Sequence, residues 1–364
     1  MERKYRVGII GATGMVGQRL VTLMDSHPWF TVTALAASPQ SAVKRYGDAV
    51  QGRWAMKTPV HAWAEDMTVF DAAKAEDVAA LCDFVFCAVV MDKKLTRDME
   101  EAYACLERPV MSCNSACRLL PDVPMMIPEI NAAHDQLIYA QRRRLGTKTG
   151  FIAVKPNCSI QSYVPALTPL LKFNPTAVSV CTYQAISGAG KTFESFPAIL
   201  DNVIPFIPGE EEKSEEEPLK IWGALAETGD RVEFARTPVI SAHCLRVPVS
   251  DGHMAAVSVS FEKKPTEAEI FAAWQDFKTL PQALKLPSAP HPFVKYMDEP
   301  DRPQTKLDRD FERGMGVTVG RLRGDKLFDY RFVCLSHNTL RGAAGGVVLT
   351  AEYLCKQGFI PYAD

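Results

Sequence analysis

The chain has 364 residues, 47% hydrophobic and 23% charged, with 41 Lys and Arg against 43 Asp and Glu for a net charge of −2. That length suffices for two domains with substantial cores, and the balanced charge argues against a nucleic-acid or membrane-surface partner. No apolar stretch reaches the roughly 20 residues that span a bilayer, and the ten cysteines lack the framework spacing of a small secreted domain. With no signal-peptide pattern in the opening residues, the expectation is a cytoplasmic enzyme-sized protein with reduced thiols.

The first half alternates short apolar runs with amphipathic ones: Tyr5 to Ile10, Val16 to Met24, Val32 to Ala37, Phe84 to Val89 and Pro109 to Ser112. This is the strand–helix–strand rhythm of a parallel sheet. Gly11-Ala-Thr13-Gly14-Met15-Val16-Gly17 falls between the first strand and the first helix. Backbone N–H groups there can face a pyrophosphate with no side chain intervening, which marks Gly11, Thr13, Gly14, Met15 and Val16 as dinucleotide contacts. An NAD-preferring fold usually places an acid about 20 residues further on. This chain has Ala37-Ser38-Pro39-Gln40-Ser41 instead, followed by Lys44 and Arg45. Hydroxyls and cations suit a 2′-phosphate, so Ser38 and Ser41 are expected to favour NADP; the alternative is that the two serines only stabilise a turn.

From about Phe151 the pattern changes. Alternation over Val178 to Gln184 and Met254 to Phe261 predicts half-buried antiparallel strands, and a second domain begins near Asn157. The acidic run Gly209 to Glu217 reads as a solvated loop. A helix is expected over Thr266 to Phe277, a Pro-rich passage over Pro287 to Pro303, and strands near Gly316 to Leu322 and Leu327 to Cys334. The last 24 residues, from Arg341, read as a small-residue helix that packs back on the first domain.

Cys158 lies in Lys155-Pro-Asn157-Cys158-Ser-Ile-Gln161, just ahead of an apolar helical stretch. A helix N-terminus there would lower the thiol pKa. Cys82, Cys87, Cys181, Cys334 and Cys355 sit inside apolar runs and read as buried hydrophobes. Cys113-x-x-x-Cys117 has no second pair or histidine at zinc spacing, so no metal is expected.

Several motifs in order resemble the aspartate-semialdehyde dehydrogenases over essentially the full length, in the branch common in archaea and fungi. They are the glycine-rich start, Ser112-Cys-Asn114-Ser115 with Arg118, Pro156-Asn157-Cys158-Ser, Gln184-Ala-Ile-Ser187-Gly188, Arg246-Val-Pro-Val-Ser-Asp-Gly-His253, Val319-Gly-Arg321, and Asn338 ahead of Arg341-Gly-Ala-Ala-Gly-Gly346. The resemblance implies an α/β protein with a Rossmann-like NADP-binding domain, 1–156 with 341–364, and a mixed α+β catalytic and dimerisation domain, 157–340. It implies Cys158 as nucleophile and His253 as general acid/base, with Gln184 orienting the substrate or attacking group. Arg246 would fork the substrate α-carboxylate and Glu217 would take its amino group. Arg118, Asn157 and Lys220 would bind phosphate. Ser187 and Gly188 would lie on the nicotinamide side, with Asn114 and Asn338 as further cofactor contacts. Relatives often carry glycine where this chain has Val43, a change expected to exclude a positive φ from the loop.

The implied reaction is NADPH-dependent reduction of L-aspartyl 4-phosphate to L-aspartate 4-semialdehyde and phosphate through a thioester on Cys158, in lysine, threonine and methionine synthesis, by a homodimer or homotetramer. A malonyl-CoA reductase of the same superfamily is the alternative, but its substrate has no amino group for Glu217. A non-enzymatic NADP-binding protein would have no use for Cys158, Gln184, Arg246 and His253 together.

Overall fold

In the computed structural model, which describes residues 3–362, the apolar runs of the first half form six strands. These are β1 (Tyr5–Ile10), β2 (Phe30–Ala37), β3 (Val69–Asp71), β4 (Phe84–Cys87), β5 (Val110–Ser112) and β6 (Ile152–Val154), in the order β3-β2-β1-β4-β5-β6 and all parallel. The order reverses direction between β1 and β4, and open α/β sheets bind ligands in the crevice at such a point. Gly11 leaves β1 at φ +84°, where a Cβ would lie 2.5 Å from the carbonyl oxygen of Ala88 beyond β4. A Cβ on Gly17 would overlap the carbonyl of Gly11. Both positions need glycine for the helix Met15–Leu23 to start tight against the crevice.

The second half supplies β7 (Pro175–Gln184), a small hairpin of β8 (Ala224–Leu225) and β9 (Val232–Glu233), β10 (Val239–Arg246), β11 (His253–Phe261), β12 (Val294–Met297), β13 (Val317–Gly324) and β14 (Tyr330–Ser336). The large sheet runs β10-β7-β11-β14-β13-β12. Every second residue of β11 is buried, as its alternation predicts. The central pairs are antiparallel, but β10 joins β7 and β12 joins β13 in parallel, so the sheet is mixed. Gln184 and Arg246 end β7 and β10 as register partners, and β11 starts beside them at His253. Gln184 thus meets Arg246 and His253, sixty-odd residues later in the chain, at one end of one sheet.

The acidic run is not a solvated loop. It forms the helix Glu210–Ile221, with three glutamates in the first turn and Lys220 in the last, as the helix dipole favours. Glu210, Ser214, Glu217 and Lys220 are buried along one face, and charge clustering hid that periodicity. The strand expected from Leu327 starts at Tyr330, because Asp325 holds a turn by accepting the N–H groups of Leu327 and Phe328 at 2.8 and 3.1 Å. The helix Glu267–Gln275 carries a Thr266/Glu269 capping box.

After a π-turn over Leu340–Ala344, the helix Gly345–Lys356 places Val347, Leu349, Ala351 and Leu354 in the core formed by Val7, Ile9, Leu20 and Leu35 of the first sheet. A second core runs from Ile10 and Val85 through Tyr163 and Leu167 to Val178 and Val257, so the chain after β6 is clamped between the sheets. Among the described residues no helix is long and apolar enough to cross a membrane.

Candidate active site

β6 ends at Val154, and Cys158 opens a series of turns. The regular helix Val164–Leu167 starts only six residues later, so Cys158 is not at a helix N-terminus as expected. The apolar stretch is consumed by turns, such as Ser162 N–H to Ser159 O at 3.4 Å. Burial pushes the thiol above its ordinary range, Lys155, Arg118 and Arg246 pull it down, and Glu210 adds to the rise. Its Sγ lies 3.5 Å from Nε2 of His253. The π-turn packs on it from the other side: a Cβ on Gly342 would fall 2.8 Å from Cβ of Cys158.

His253 is fully buried. The N–H of Ala185 donates to its Nδ1 at 3.1 Å, and the C=O of the same residue accepts from Nη1 of Arg246 at 2.7 Å. With Nδ1 occupied as an acceptor, the hydrogen of the neutral ring is assigned to Nε2, facing the sulfur. Burial and the Arg246 guanidinium hold the imidazole down to about 3, so the ring is neutral at ordinary pH. A Cβ on Gly188 would come within 3.0 Å of both Arg246 Nη1 and His253 Nε2, and glycine therefore keeps open the space in front of them.

A cavity of about 250 Å³ opens over Cys158, lined by Arg118, Lys155, Asn157, Glu210 and Lys213. Glu210 is the hub of its polar wall. It accepts from Asn157 Nδ2 at 2.9 and 3.0 Å, from Gln184 Nε2 at 3.2 Å and from Lys213 Nζ at 2.8 Å. Burial would raise this carboxyl, but Lys213 and the amide donors hold it below its ordinary value. Arg118 pairs with Glu217 at 2.9 Å, while its buried Nε makes no hydrogen bond among the described residues. A planar donor with a hydrogen to spare at a cavity wall suits an oxyanion.

The glycine-rich crevice forms a second cavity of about 270 Å³, lined by Gly11, Thr13, Gly14, Ser38 and Pro39. It fits a dinucleotide, since the backbone glycines leave the space that side chains would fill. Val16, Ser187, Gly188 and Asn338 line the Cys158 cavity, so the crevice helix reaches it directly. Asn338 donates to Ser187 Oγ at 2.8 Å and accepts from Gly252 N–H at 2.8 Å. Met15 and Thr13 face a third cleft, of about 650 Å³. Asn114 is not among the residues lining these three cavities, and its side chain donates to buried Glu100 at 2.9 Å.

A family model for the semialdehyde dehydrogenase NAD binding domain matches residues 6–137, and one for the semialdehyde dehydrogenase dimerisation domain matches residues 167–341. An aspartate-semialdehyde dehydrogenase of Archaeoglobus fulgidus is 42% identical over 357 residues, covering 98% of this chain and 100% of that protein. One from Methanothermobacter thermautotrophicus is 43% identical, covering 96% and 98%. The crystal structure of the Candida albicans enzyme with NADP superposes with a TM-score of 0.88 at 36% identity, covering 98% of this chain and 100% of that one. The chain belongs to the aspartate-semialdehyde dehydrogenase family.

Within that family fold, two expected ligand residues do not face the cavity. Lys220 is 1% exposed, and its ammonium donates to the carbonyls of Arg118, Leu120 and Val123 at 2.6, 2.8 and 3.1 Å. Its three donors are used up in holding the Arg118 loop. Glu217 is spent on Arg118 and on the N–H of Asn157, at 2.5 Å. The cavity positions are Glu210 and Lys213, seven residues earlier. The Glu-x-x-Lys spacing occurs twice in this helix, two turns apart on one face, and only its N-terminal copy reaches the cleft. Lys155 was also missed as a site residue, although it stands three residues before the cysteine.

Ser41 departs from its expected role too: its hydroxyl is buried and accepts from Arg53 Nη2 at 2.9 Å, so Ser38 alone of the two serines faces the crevice. Val43 adopts φ +67° despite its branched side chain. The loop keeps the left-handed turn that the substitution was expected to exclude, because the Val43 N–H is tied to the carbonyl of Val69 at 2.8 Å.

Proposed function

We propose that this chain catalyses the reversible, NADP-dependent reduction of L-aspartyl 4-phosphate to L-aspartate 4-semialdehyde and phosphate, through a thioester on Cys158. The single observation that carries the reading is one cavity lined by a thiol and by the charged side chains of Arg118, Lys155, Glu210 and Lys213, with a neutral imidazole 3.5 Å from the sulfur. Sγ of Cys158 attacks the acyl carbonyl, the bond to the phosphate oxygen breaks, and phosphate departs toward Arg118, Asn157 and Lys213. Nε2 of His253 hydrogen-bonds and exchanges protons with the substrate oxygen. Arg246 takes the α-carboxylate as a bidentate fork, and Glu210 takes the amino group. Gln184, held by Glu210 and Thr182, orients the substrate. Gly11, Thr13, Gly14, Met15, Val16 and Ser38 would hold the dinucleotide, with Ser187, Gly188 and Asn338 on its nicotinamide side. When bound, that cofactor supplies the hydride that a thioester accepts more readily than a carboxylate.

The same reading divides the chain into a cofactor domain, 1–156 with 341–364, and a catalytic domain, 157–340, that pairs two subunits as a dimer or within a tetramer. It places the enzyme in the cytoplasm, in the supply of lysine, threonine and methionine. NADPH formation from aspartate semialdehyde that requires added phosphate tests it. Turnover with malonyl-CoA and none with the semialdehyde would reassign the substrate.

A further inference from the structure

We infer that Lys155 is the counter-ion of the Cys158 thiolate, a positioning residue that sets the charge state of the nucleophile. The inference rests on the reading of Cys158 given above and goes beyond it in naming what makes the sulfur an anion.

Both side chains open on one cavity, and Gly342 touches both. Its carbonyl accepts the hydrogen bond of Lys155 Nζ, and its Cα packs on Cβ of Cys158 closely enough to exclude a methyl group. The backbone N–H of Lys155 donates to Ser112 O at 3.0 Å, which anchors the lysine between the end of β5 and the nucleophile.

The other cations around the sulfur are committed elsewhere. Arg118 faces the Glu217 carboxylate at 2.9 Å and Lys213 faces Glu210 at 2.8 Å. Arg246 is bonded to the carbonyl of Ala185. His253 is neutral, with Nδ1 an acceptor, so it offers Nε2–H to the sulfur and cannot take the thiol proton there in that tautomer. Lys155 is 3% exposed, and among the described residues its ammonium has no carboxylate within ion-pair distance and one hydrogen bond, to a carbonyl. A buried ammonium without an anion is costly, and a thiolate supplies the missing charge.

The two groups shift one another, although burial still holds the thiol above its ordinary range. Burial and then Arg118 bring Lys155 down to about 8, while Cys158, Cys113 and Glu217 pull it back up. Lys155 is in turn the first of the groups that lower Cys158, opposing burial and Glu210 and aided by Arg118 and Arg246. Cys113, the other thiol facing the ammonium, is pushed up to about 11 by burial and remains protonated. Loss of the Sγ proton to solvent leaves S⁻ beside the NH₃⁺ already present, so the buried pair becomes neutral overall.

The test is the pH dependence of iodoacetamide alkylation, read on the Cys158 peptide by mass spectrometry, for the full-length parent, Lys155→Met, Lys155→Gln and Lys155→Arg. NADP binding and thermal unfolding confirm the fold of each. The Gln variant keeps a donor for the Gly342 carbonyl and removes only the charge. Met and Gln are expected to move the midpoint up by about one pH unit, slowing modification at neutral pH about ten-fold, with Arg remaining near the parent. A folded Lys155→Gln protein with the parental midpoint overturns the inference. A parental Cys158 that alkylates no faster than the exposed Cys105 would instead overturn its reading as the nucleophile.

Discussion

Nδ1 of His253 accepts the backbone N–H of Ala185 at 3.1 Å, which leaves Nε2 as the nitrogen that faces Cys158 with a hydrogen. ¹⁵N NMR of the labelled imidazole should therefore show the Nε2–H tautomer, with no protonation at mildly acidic pH. Because the ring is held down to about 3 in the folded chain, against about 6.5 when unfolded, the unfolded state binds the extra proton between those values. Stability is full above about 6.5 and falls as pH drops toward 3. Chemical denaturation of His253→Asn should show a shallower fall across that window; an unchanged slope would refute the assignment.

The two Glu-x-x-Lys pairs of the helix Glu210–Ile221 separate function from support. Glu210→Gln and Lys213→Met should reduce kcat/KM for the semialdehyde or phosphate by at least about 100-fold, while unfolding near the parental temperature. Lys220→Met strands the three carbonyls that the ammonium serves and should cost roughly 2–4 kcal/mol. Glu217→Gln should loosen Arg118 and lower stability as well. Steady-state kinetics beside thermal unfolding decide it, and a stable but inactive Lys220→Met protein would contradict the placement.

Gly342 bears on the nucleophile from the opposite side. Gly342→Ala inserts a methyl group 2.8 Å from Cβ of Cys158, and one of the two must shift. A displacement of an ångström at a reacting atom is worth about 100-fold in rate, so kcat should fall by about that factor with NADP affinity intact.

Much of this arrangement was legible in the sequence, for reasons that differ by element. Gly11 and Gly17 were readable because close backbone approach allows no other residue, and β11 because its alternation survives as burial of every second residue. Cys158, His253 and Arg246 stand in motifs whose order carries the family. Glu210 and Lys213 were displaced by two turns because a helix repeats its face every seven residues, and nothing local tells which copy ends at a cleft. Asn114, Ser41 and Glu217 bear hydrogen-bonding groups that suit a ligand equally well, and only the fold supplies the buried protein partners that occupy them.

Val43 offers a test of backbone strain. A β-branched residue at φ +67° is held in a region that favours Asn or Gly. Its side chain is 88% exposed and contributes little packing. Val43→Asn should raise stability by about 1 kcal/mol, measured by denaturant unfolding, without the added unfolded-state entropy that glycine brings. A destabilised variant would show that the loop does not store this strain.

The central claim is the covalent thioester on Cys158. The most direct measurement mixes the enzyme with NADP and aspartate semialdehyde in the absence of phosphate, quenches it, and reads the mass of the Cys158 peptide. The account predicts an aspartyl adduct on that peptide alone, discharged by phosphate, and neither adduct nor turnover in Cys158→Ala. Parental turnover by Cys158→Ala, or an adduct on another residue, would contradict it.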